Sequence, residues 1–192
     1  RMWAGGAIET FRSLRSGAAV TRTSTIADIR RKHGSTGELI LVSVQHEIAD
    51  AQGLAIRERQ DLVFREASSA PVEPAGPDMP FAADWRIEAS PLLLFRFSAF
   101  TFNGHRIHYD LHHAEHEGYP NLLVHGPLQA ALMLNLVSTK LGQVPERFDY
   151  RCLAPLFAGA RFGVTSDASM ARILRSDGVT TAEGQARVRG TG

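Results

Sequence analysis

A stretch of apolar sequence in the second half of the chain decides the fold: HGPLQAALMLNLVSTKLG, residues 125–142. Pro127 stands at the first-turn position that proline favours and Gly142 follows the last apolar residue, so the pattern predicts a helix over residues 127–141. Its apolar residues fall on almost every side: Leu128, Ala130, Ala131, Leu132, Met133, Leu134, Leu136 and Val137. A helix that is apolar nearly all round is buried, so we expect a sheet to wrap around it.

Segments typical of strands lie on both sides of this helix. Downstream, the candidates for the wrapping sheet are residues 147–153, 160–166, 170–175 and 181–188. Upstream, residues 17–65 alternate strand-like runs with turn sequences at 34–37 and 50–53. Residues 92–98, which are almost continuously apolar, predict either a strand or a short helix.

A linker divides the chain. Residues 67–83 are rich in proline, serine and alanine and show no apolar period, which is typical of a linker. We therefore predict a first unit over residues 1–66, a linker over 67–89 and a second unit over 90–192. The chain opens with RMWAGG, without an initiator or a helix-start signal, so we expect that the natural protein continues before Arg1.

Composition and charge exclude several classes of function. The 21 basic and 20 acidic side chains give a net charge of +1, so a nucleic-acid partner is not expected. No apolar run approaches the roughly 18–20 residues of a membrane-spanning helix, and the single cysteine, Cys152, fits a reducing compartment. We therefore expect a cytoplasmic protein without a membrane partner.

Six of the eight histidines fall between residues 105 and 125, next to the start of the predicted helix. His108 lies in a loop before this helix, and a histidine can hold either protonation state near neutral pH. Gly126 lies at the mouth of the helix, where a backbone N–H points outward with the helix dipole behind it. Because such a donor would stabilise the developing enolate of a bound thioester, the two residues indicate chemistry at the carbon next to a carbonyl.

Three short motifs carry a resemblance to a known family: NGHRIHYD at 103–110, EGYP at 117–120 and LVHGPL at 123–128. They resemble the MaoC-like hydratases, that is, the (R)-specific enoyl-CoA hydratases and related dehydratases. The resemblance is strongest to the double-hot-dog branch, which includes mesaconyl-type CoA hydratases and 3-hydroxyacyl-thioester dehydratases. It implies an α+β fold of two hot-dog modules, each an antiparallel sheet around a central helix, with the first module lacking its N-terminal part in this chain.

The resemblance also implies a catalytic set. The family pairs an acidic residue with a histidine five positions later and binds the thioester oxygen with the N–H at the helix mouth. These positions fall on Asn103, His108 and Gly126. Asn103 departs from the pattern, because an amide can orient a water but cannot take its proton. His108 would then be the main base, unless Asp110 supplies the missing carboxylate.

Four further residues are predicted to bind substrate. Arg106 and Arg96 are the cations nearest to the motif, and either could grip a free carboxylate or a coenzyme A phosphate, or simply form a surface salt bridge. Tyr109 lies within the motif, and His125 precedes the glycine, where it would also shape the turn into the helix.

The function that the resemblance implies is reversible addition of water to the α,β double bond of an enoyl-CoA. Within the family it points to a branched C5 dicarboxylic substrate, mesaconyl-CoA or itaconyl-CoA, with citramalyl-CoA as product. The reaction would use no metal, flavin or nicotinamide cofactor, since coenzyme A arrives as part of the acyl-CoA substrate. The protein would form a homo-oligomer, most simply a dimer.

Four alternatives stay open. A dehydratase of straight-chain 3-hydroxyacyl thioesters would use the same loop, and a non-catalytic acyl-CoA-binding module would tolerate Asn103 in the acid's position. A thioesterase of this fold would need a carboxylate or nucleophile, which the motif lacks. A metal site could use His105, His108 and His112, which have i, i+3, i+7 spacing, but turn sequences bracket them and no His-Glu-x-x-His pattern occurs.

Overall fold

The computed structural model describes residues 1–34, 37–65, 76, 82–167 and 169–188, which form nine strands and three α-helices. The strands are β1 (Met2–Thr10), β2 (Thr21–Gly34), β3 (Gly37–Asp50), β4 (Gly53–Arg65), β5 (Trp85–Glu88), β6 (Arg147–Cys152), β7 (Arg161–Ser166), β8 (Met170–Arg175) and β9 (Thr180–Arg187). The helices are α1 (Pro91–Phe100), α2 (Leu111–His116) and α3 (Gly126–Leu141). None of these helices is both long and apolar enough to cross a lipid bilayer.

The strands join in one antiparallel sheet in the order β2-β3-β4-β1-β6-β9-β8-β7-β5. β1 is an interior strand, paired with β4 on one side and β6 on the other. The sequence pattern does not predict β1, because Gly5 and Gly6 lower its strand propensity. These glycines fit because a Cβ atom would lie 2.5 Å from the Tyr150 carbonyl oxygen at Gly5 and 2.2 Å from the Arg59 carbonyl oxygen at Gly6.

Helix α3 packs on the inner face of β7, β8 and β9 and also contacts β1 and β6. Met133 and Val137 of α3 are fully buried, and burial of such a side chain contributes about 1.5–3 kcal/mol. The large side chains buried with them from the sheet are Phe148, Phe162, Val164 and Ile173. The expected buried helix wrapped by an antiparallel sheet is therefore confirmed.

The bounds of α3 follow from local chemistry. Pro127 occupies the first turn, where its missing N–H costs no hydrogen bond. Gly142 caps the other end with a positive φ of 68°, and its N–H donates to the Thr139 carbonyl oxygen. The four strands predicted after α3 are confirmed as β6 to β9.

Residues 92–98, for which the sequence predicts either a strand or a short helix, belong to helix α1. Ser90 caps α1, and its hydroxyl accepts a hydrogen bond from the Leu93 N–H at 3.2 Å. The turn predicted at residues 50–53 joins β3 to β4. At the turn predicted over 34–37, Gly34 pairs with Gly37, and the two residues between them lie outside the described residues.

The predicted linker over residues 67–89 extends too far. Its end contains β5, which pairs with β7 at the edge of the sheet, because Trp85 and Ile87 alternate with polar residues in the pattern of a strand. Most of the earlier linker residues lie outside the described residues, although the Gly76 N–H donates to Asp177 at 2.9 Å. The division into units at 1–66 and 90–192 stays a prediction, as does the missing N-terminal part.

Candidate active site

The loop between α1 and α2 begins with a tight reversal of the chain. Phe102 adopts a left-handed backbone with φ of 52°, which is uncommon for a bulky residue. The turn is held because the Asn103 N–H donates to the Ser98 carbonyl oxygen at 2.9 Å, and the Phe102 N–H donates to the Ala99 carbonyl oxygen at 3.3 Å. The end of α1 thus fixes the position at which the histidine motif starts.

His108 ends a single 3₁₀ turn, Arg106–His108, and its ring is buried. Its Nδ1 lies 2.7 Å from the Leu123 carbonyl oxygen. Because a carbonyl only accepts, Nδ1 carries the proton and Nε2 keeps its lone pair. Burial lowers the pKa of His108 to about 4, so the imidazole is neutral at neutral pH. The structure therefore presents His108 as a base with one defined atom for accepting a proton.

His125 lies behind the ring of His108. The two imidazoles stack with their centroids 3.7 Å apart and their planes 19° from parallel. His125 is fully buried, its Nε2 lies 2.8 Å from the Ser98 hydroxyl, and Phe97 packs edge-on against it. Burial, with a smaller contribution from His108, lowers the pKa of His125 to about 3. The predicted substrate-binding residue His125 thus contacts the predicted base and is shielded from solvent.

Gly126 is the first residue of α3, and close packing explains why it is a glycine. A Cβ atom there would lie 3.0 Å from the Cys152 sulfur and 3.1 Å from Cβ of Trp3. Trp3 is itself held by a 2.9 Å hydrogen bond from its ring N–H to the Tyr150 hydroxyl. Residues of β1 and β6 therefore occupy the space that a side chain at position 126 would need.

The start of α3 has backbone hydrogen-bond donors without an acceptor inside the helix. The first N–H groups of a helix have no acceptor within it, and Pro127 has no N–H. His125 is the N-cap residue, yet its side chain makes no capping hydrogen bond. The N–H of Gly126 is thus left for an acceptor outside the helix, next to the buried histidine pair, and the helix dipole favours a negative charge there.

Asn103 holds the loop with one end of its side chain. Its Oδ1 accepts a hydrogen bond from the His105 N–H at 3.1 Å. Among the described residues none accepts a hydrogen bond from its Nδ2, so this amide can donate to a water or a substrate oxygen. The His105 ring meets that of His108 edge-on at 5.6 Å, and burial lowers the pKa of His105.

Asp110 has structural partners. Its Oδ1 accepts from the His113 N–H at 3.0 Å and so caps α2, while its Oδ2 forms an ion pair with Arg106 at 2.7 Å. The His113 N–H and then the Arg106 guanidinium lower the pKa of Asp110. Arg106 therefore forms a surface salt bridge, which is one of the alternatives for it in the sequence analysis. The Asp110 carboxylate, the candidate to replace the acid missing at Asn103, is already bound to Arg106 and the His113 N–H.

The other two predicted substrate-binding residues lie at the surface. The Tyr109 hydroxyl donates to the Gly104 carbonyl oxygen at 2.9 Å and so closes the loop on itself. Arg96 is exposed on α1, and no hydrogen bond or ion pair holds it within the described part of the chain. Of the two candidate arginines, Arg96 is thus the one whose charge is not already paired.

The three-histidine metal alternative gains no support. His105 and His108 belong to the loop and the 3₁₀ turn, whereas His112 lies in α2, so the three do not share one helical face. In the ranges described above, no three His, Cys, Asp or Glu side chains come together in a way that could hold a metal ion.

Residue type alone did not reveal several contacts of this site. The Leu123 carbonyl and the Ser98 hydroxyl position the two stacked rings, and Trp3 packs against Gly126. A serine within the apolar run FRFSAF is the one signal in the sequence that could have indicated Ser98. A backbone carbonyl has no signature in a sequence.

Comparisons with known proteins identify the family of the chain. The family model described as hydroxyacyl-thioester dehydratase type 2 matches residues 1–158. The chain is 42% identical over 166 residues to mesaconyl-C(4)-CoA hydratase of Chloroflexus aurantiacus, covering 84% of this chain and 59% of that protein. It is 32% identical over 123 residues to the mitochondrial hydroxyacyl-thioester dehydratase type 2 of Schizosaccharomyces pombe, covering 60% of this chain and 41% of that protein. The chain thus spans about half the length of these curated relatives.

Solved structures share the fold. HtdX from Mycobacterium tuberculosis superposes with a TM-score of 0.78 at 17% identity, covering 98% of this chain and 76% of that one. A MaoC-like dehydratase from Phytophthora capsici gives a TM-score of 0.69 at 16% identity, covering 98% of this chain and 72% of that one. These likenesses confirm the expected MaoC-like hot-dog architecture. With the family model matching most of its length, the chain belongs to the hydroxyacyl-thioester dehydratase type 2 family, one of the MaoC-like hydratases and dehydratases.

Proposed function

We propose that the protein catalyses the reversible addition of water to the α,β double bond of an enoyl thioester. The observation that carries this proposal is the position of His108, whose Nδ1–H is bound by the Leu123 carbonyl while its Nε2 is left as a base beside the start of α3. A neutral base next to backbone donors that have no acceptor within the helix suits a reaction that builds negative charge on a thioester oxygen.

Each step of the reaction can be assigned to atoms of this chain. The thioester oxygen accepts a hydrogen bond from the Gly126 N–H, which polarises the conjugated double bond. His108 Nε2 takes a proton from water while the water oxygen bonds to the β-carbon, and the electron pair of the double bond moves to form the enolate. The resulting imidazolium returns one proton to the α-carbon, so His108 ends neutral and no other reactant is required.

The low pKa of His108 has two consequences for this cycle. At pH 7 a group with a pKa of about 4 is almost wholly in the neutral form that can accept a proton. Its imidazolium is in turn a stronger acid than that of an ordinary histidine, so it gives the proton more readily to the enolate carbon. Asn103 is suited to orient the water through its Nδ2 group, which is the role that an amide can fill.

For the substrate we propose a branched C5 dicarboxylic acyl-CoA, mesaconyl-CoA or itaconyl-CoA, which would be converted to citramalyl-CoA. The name of the Chloroflexus aurantiacus relative supports this choice. Arg96 supports it too, because it is exposed, has no ion-pair partner among the described residues and could bind the second carboxylate or a phosphate of coenzyme A. The Schizosaccharomyces pombe relative supports the alternative of a straight-chain 3-hydroxyacyl thioester. Independence from a metal, flavin or nicotinamide and assembly as a dimer remain predictions.

The test is the loss of enoyl-thioester absorbance with mesaconyl-, itaconyl-, crotonyl- and longer enoyl-CoAs. We expect rapid loss with at least one of them and a decrease of about 100-fold or more in rate for His108→Ala. His112→Ala is the matched control, because His112 is an exposed histidine of α2, and it should keep the wild-type rate. Binding of the thioesters without any loss of absorbance would contradict the proposal and favour a non-catalytic binding module, and release of free thiol would favour a thioesterase.

A further inference from the structure

The side chain of Ser98 and the ring of His125 form a buried pair that nothing in the proposed reaction uses directly. The Ser98 hydroxyl and His125 Nε2 lie 2.8 Å apart, and both residues are almost wholly inaccessible to solvent. A buried hydrogen-bonded pair next to the predicted base raises the question of what it does for that base.

The surroundings of Nδ1, the second ring nitrogen of His125, indicate which nitrogen of this ring carries the proton. His125 Nδ1 is buried and has no hydrogen-bond partner among the described residues. Buried N–H groups without an acceptor are rarer in folded proteins than buried acceptors without a donor. This favours the tautomer in which the proton of His125 lies on Nε2 and is donated to the Ser98 oxygen, which leaves a lone pair on Nδ1.

The stacked ring of His125 restricts the orientation of the His108 ring. The rings lie 3.7 Å apart and nearly parallel, so His108 cannot tilt toward α3 without moving His125. The Leu123 carbonyl holds one edge of the His108 ring, and the neutral ring of His125 covers one of its faces. Together these contacts leave His108 a single orientation.

Ser98 also connects the pair to the water-orienting residue. Its backbone carbonyl accepts the Asn103 N–H at 2.9 Å, while its side chain holds His125. One residue near the end of α1 thus fixes both the start of the histidine loop and the ring behind the base.

From these contacts we infer that His125 and Ser98 are positioning residues, which hold the ring of His108 and its Nε2 lone pair in the orientation required for proton transfer. His125 acts through His108 and does not bind substrate. This inference rests on the proposed function for its catalytic part, whereas its structural part concerns the tautomers alone.

Ser98→Ala is the sharpest test, because it removes one buried oxygen and keeps the backbone bond to Asn103. We expect kcat for hydration of the enoyl-CoA to fall about tenfold relative to the wild type. KM should stay within about twofold of the wild-type value, since the variant does not change ground-state binding of the substrate. Ser138→Ala is the matched control, because Ser138 is a helical serine of α3 whose hydroxyl donates to the Leu134 carbonyl at 2.7 Å and has no other partner among the described residues. The kcat of this variant should equal that of the wild type.

The second readout is the ¹⁵N spectrum of the histidine rings, assigned with single His→Gln variants. In the wild type at neutral pH we expect the Nδ1–H tautomer for His108 and the Nε2–H tautomer for His125. In Ser98→Ala the resonances of His125 should move toward a mixture of tautomers and those of His108 should shift with them, whereas Ser138→Ala should leave both unchanged.

The outcomes separate the two proposals. A rise in KM at constant kcat would overturn the inference and make His125 a substrate-binding residue. Unchanged kcat or unchanged ring resonances in Ser98→Ala would also overturn it. If the wild type hydrates no enoyl thioester, the proposed function fails, and the tautomers of wild type and Ser98→Ala still decide whether the pair sets the ring orientation.

Discussion

His108 and His125 are buried and stacked 3.7 Å apart, whereas His112 and His116 stand exposed on α2 only a few residues away. The buried pair has one defined partner for each ring, the Leu123 carbonyl and the Ser98 hydroxyl. No hydrogen bond within the described residues holds the rings of the exposed pair. The difference teaches that burial and partners, rather than residue type or clustering in the sequence, select a candidate base.

The largest effect expected from this difference is on stability in acid. Both buried histidines have a folded-state pKa below the ordinary value of about 6.5, so the folded protein binds fewer protons than the unfolded chain. Above about pH 6.5 both histidines are neutral in the folded and the unfolded chain, so they do not make the free energy of unfolding depend on pH. Below that pH the free energy of unfolding falls as the pH drops toward about 4. The expected slope is up to about 1.4 kcal/mol per pH unit for each histidine.

Urea unfolding at several pH values between about 4.5 and 6.5 measures this slope. His125→Gln removes one of the two buried imidazoles, so its slope should be shallower than that of the wild type by the share of one histidine. Parallel slopes for the two proteins would show that His125 is not held neutral, and the contrast between buried and exposed histidines would lose its energetic basis.

The next effect concerns the helix start that faces the buried pair. In Gly126→Ala the new Cβ must push against the Cys152 sulfur and Trp3, which displaces the first turn of α3 by a few tenths of an ångström. We expect about a tenfold loss of kcat/KM, because a misplacement of 1 Å can cost about 100-fold. Adding Cys152→Ala removes one of the two contacts and should restore part of the lost rate. An active single variant would show that the position of this N–H does not matter.

The smallest effect concerns the cap of the exposed helix. Asp110→Ala removes the hydrogen bond to the His113 N–H and the ion pair with Arg106, which should lower the free energy of unfolding only slightly. Hydration activity should stay within about twofold of the wild type, since Asp110 has only structural partners. A loss near 100-fold at unchanged stability would instead make Asp110 the carboxylate that Asn103 lacks.

Much of the fold follows from local patterns. The bounds of α3 are set by Pro127 and Gly142, and the strands after it by short apolar runs, so the sequence predicts them correctly. The sequence does not predict β1, because Gly5 and Gly6 lower its strand propensity. These glycines are needed because the backbones of Tyr150 and Arg59, which are far away in the sequence, approach them closely. Such a contact exists only once the sheet has formed.

The site shows the same division. The motifs contain His108 and His125, and the structure stacks their two rings directly before Gly126. The hydrogen-bond partners of these rings are the Leu123 carbonyl for His108 and the Ser98 hydroxyl for His125, and residue spacing indicates neither of them. The ion pair of Arg106 with Asp110 could have been predicted from its i, i+4 spacing, which would have favoured Arg96 as the free cation.

The most direct test of the account is the pH dependence of kcat/KM for hydration of the preferred enoyl-CoA, which reports the pKa of the base in the free enzyme. If the buried His108 is that base, kcat/KM should stay level from about pH 8 down to about 5 and fall only as the pH approaches about 4, where His108 becomes protonated. A fall centred near 6.5, the ordinary pKa of histidine, would mean that the base is solvated and would contradict the central role of the buried pair.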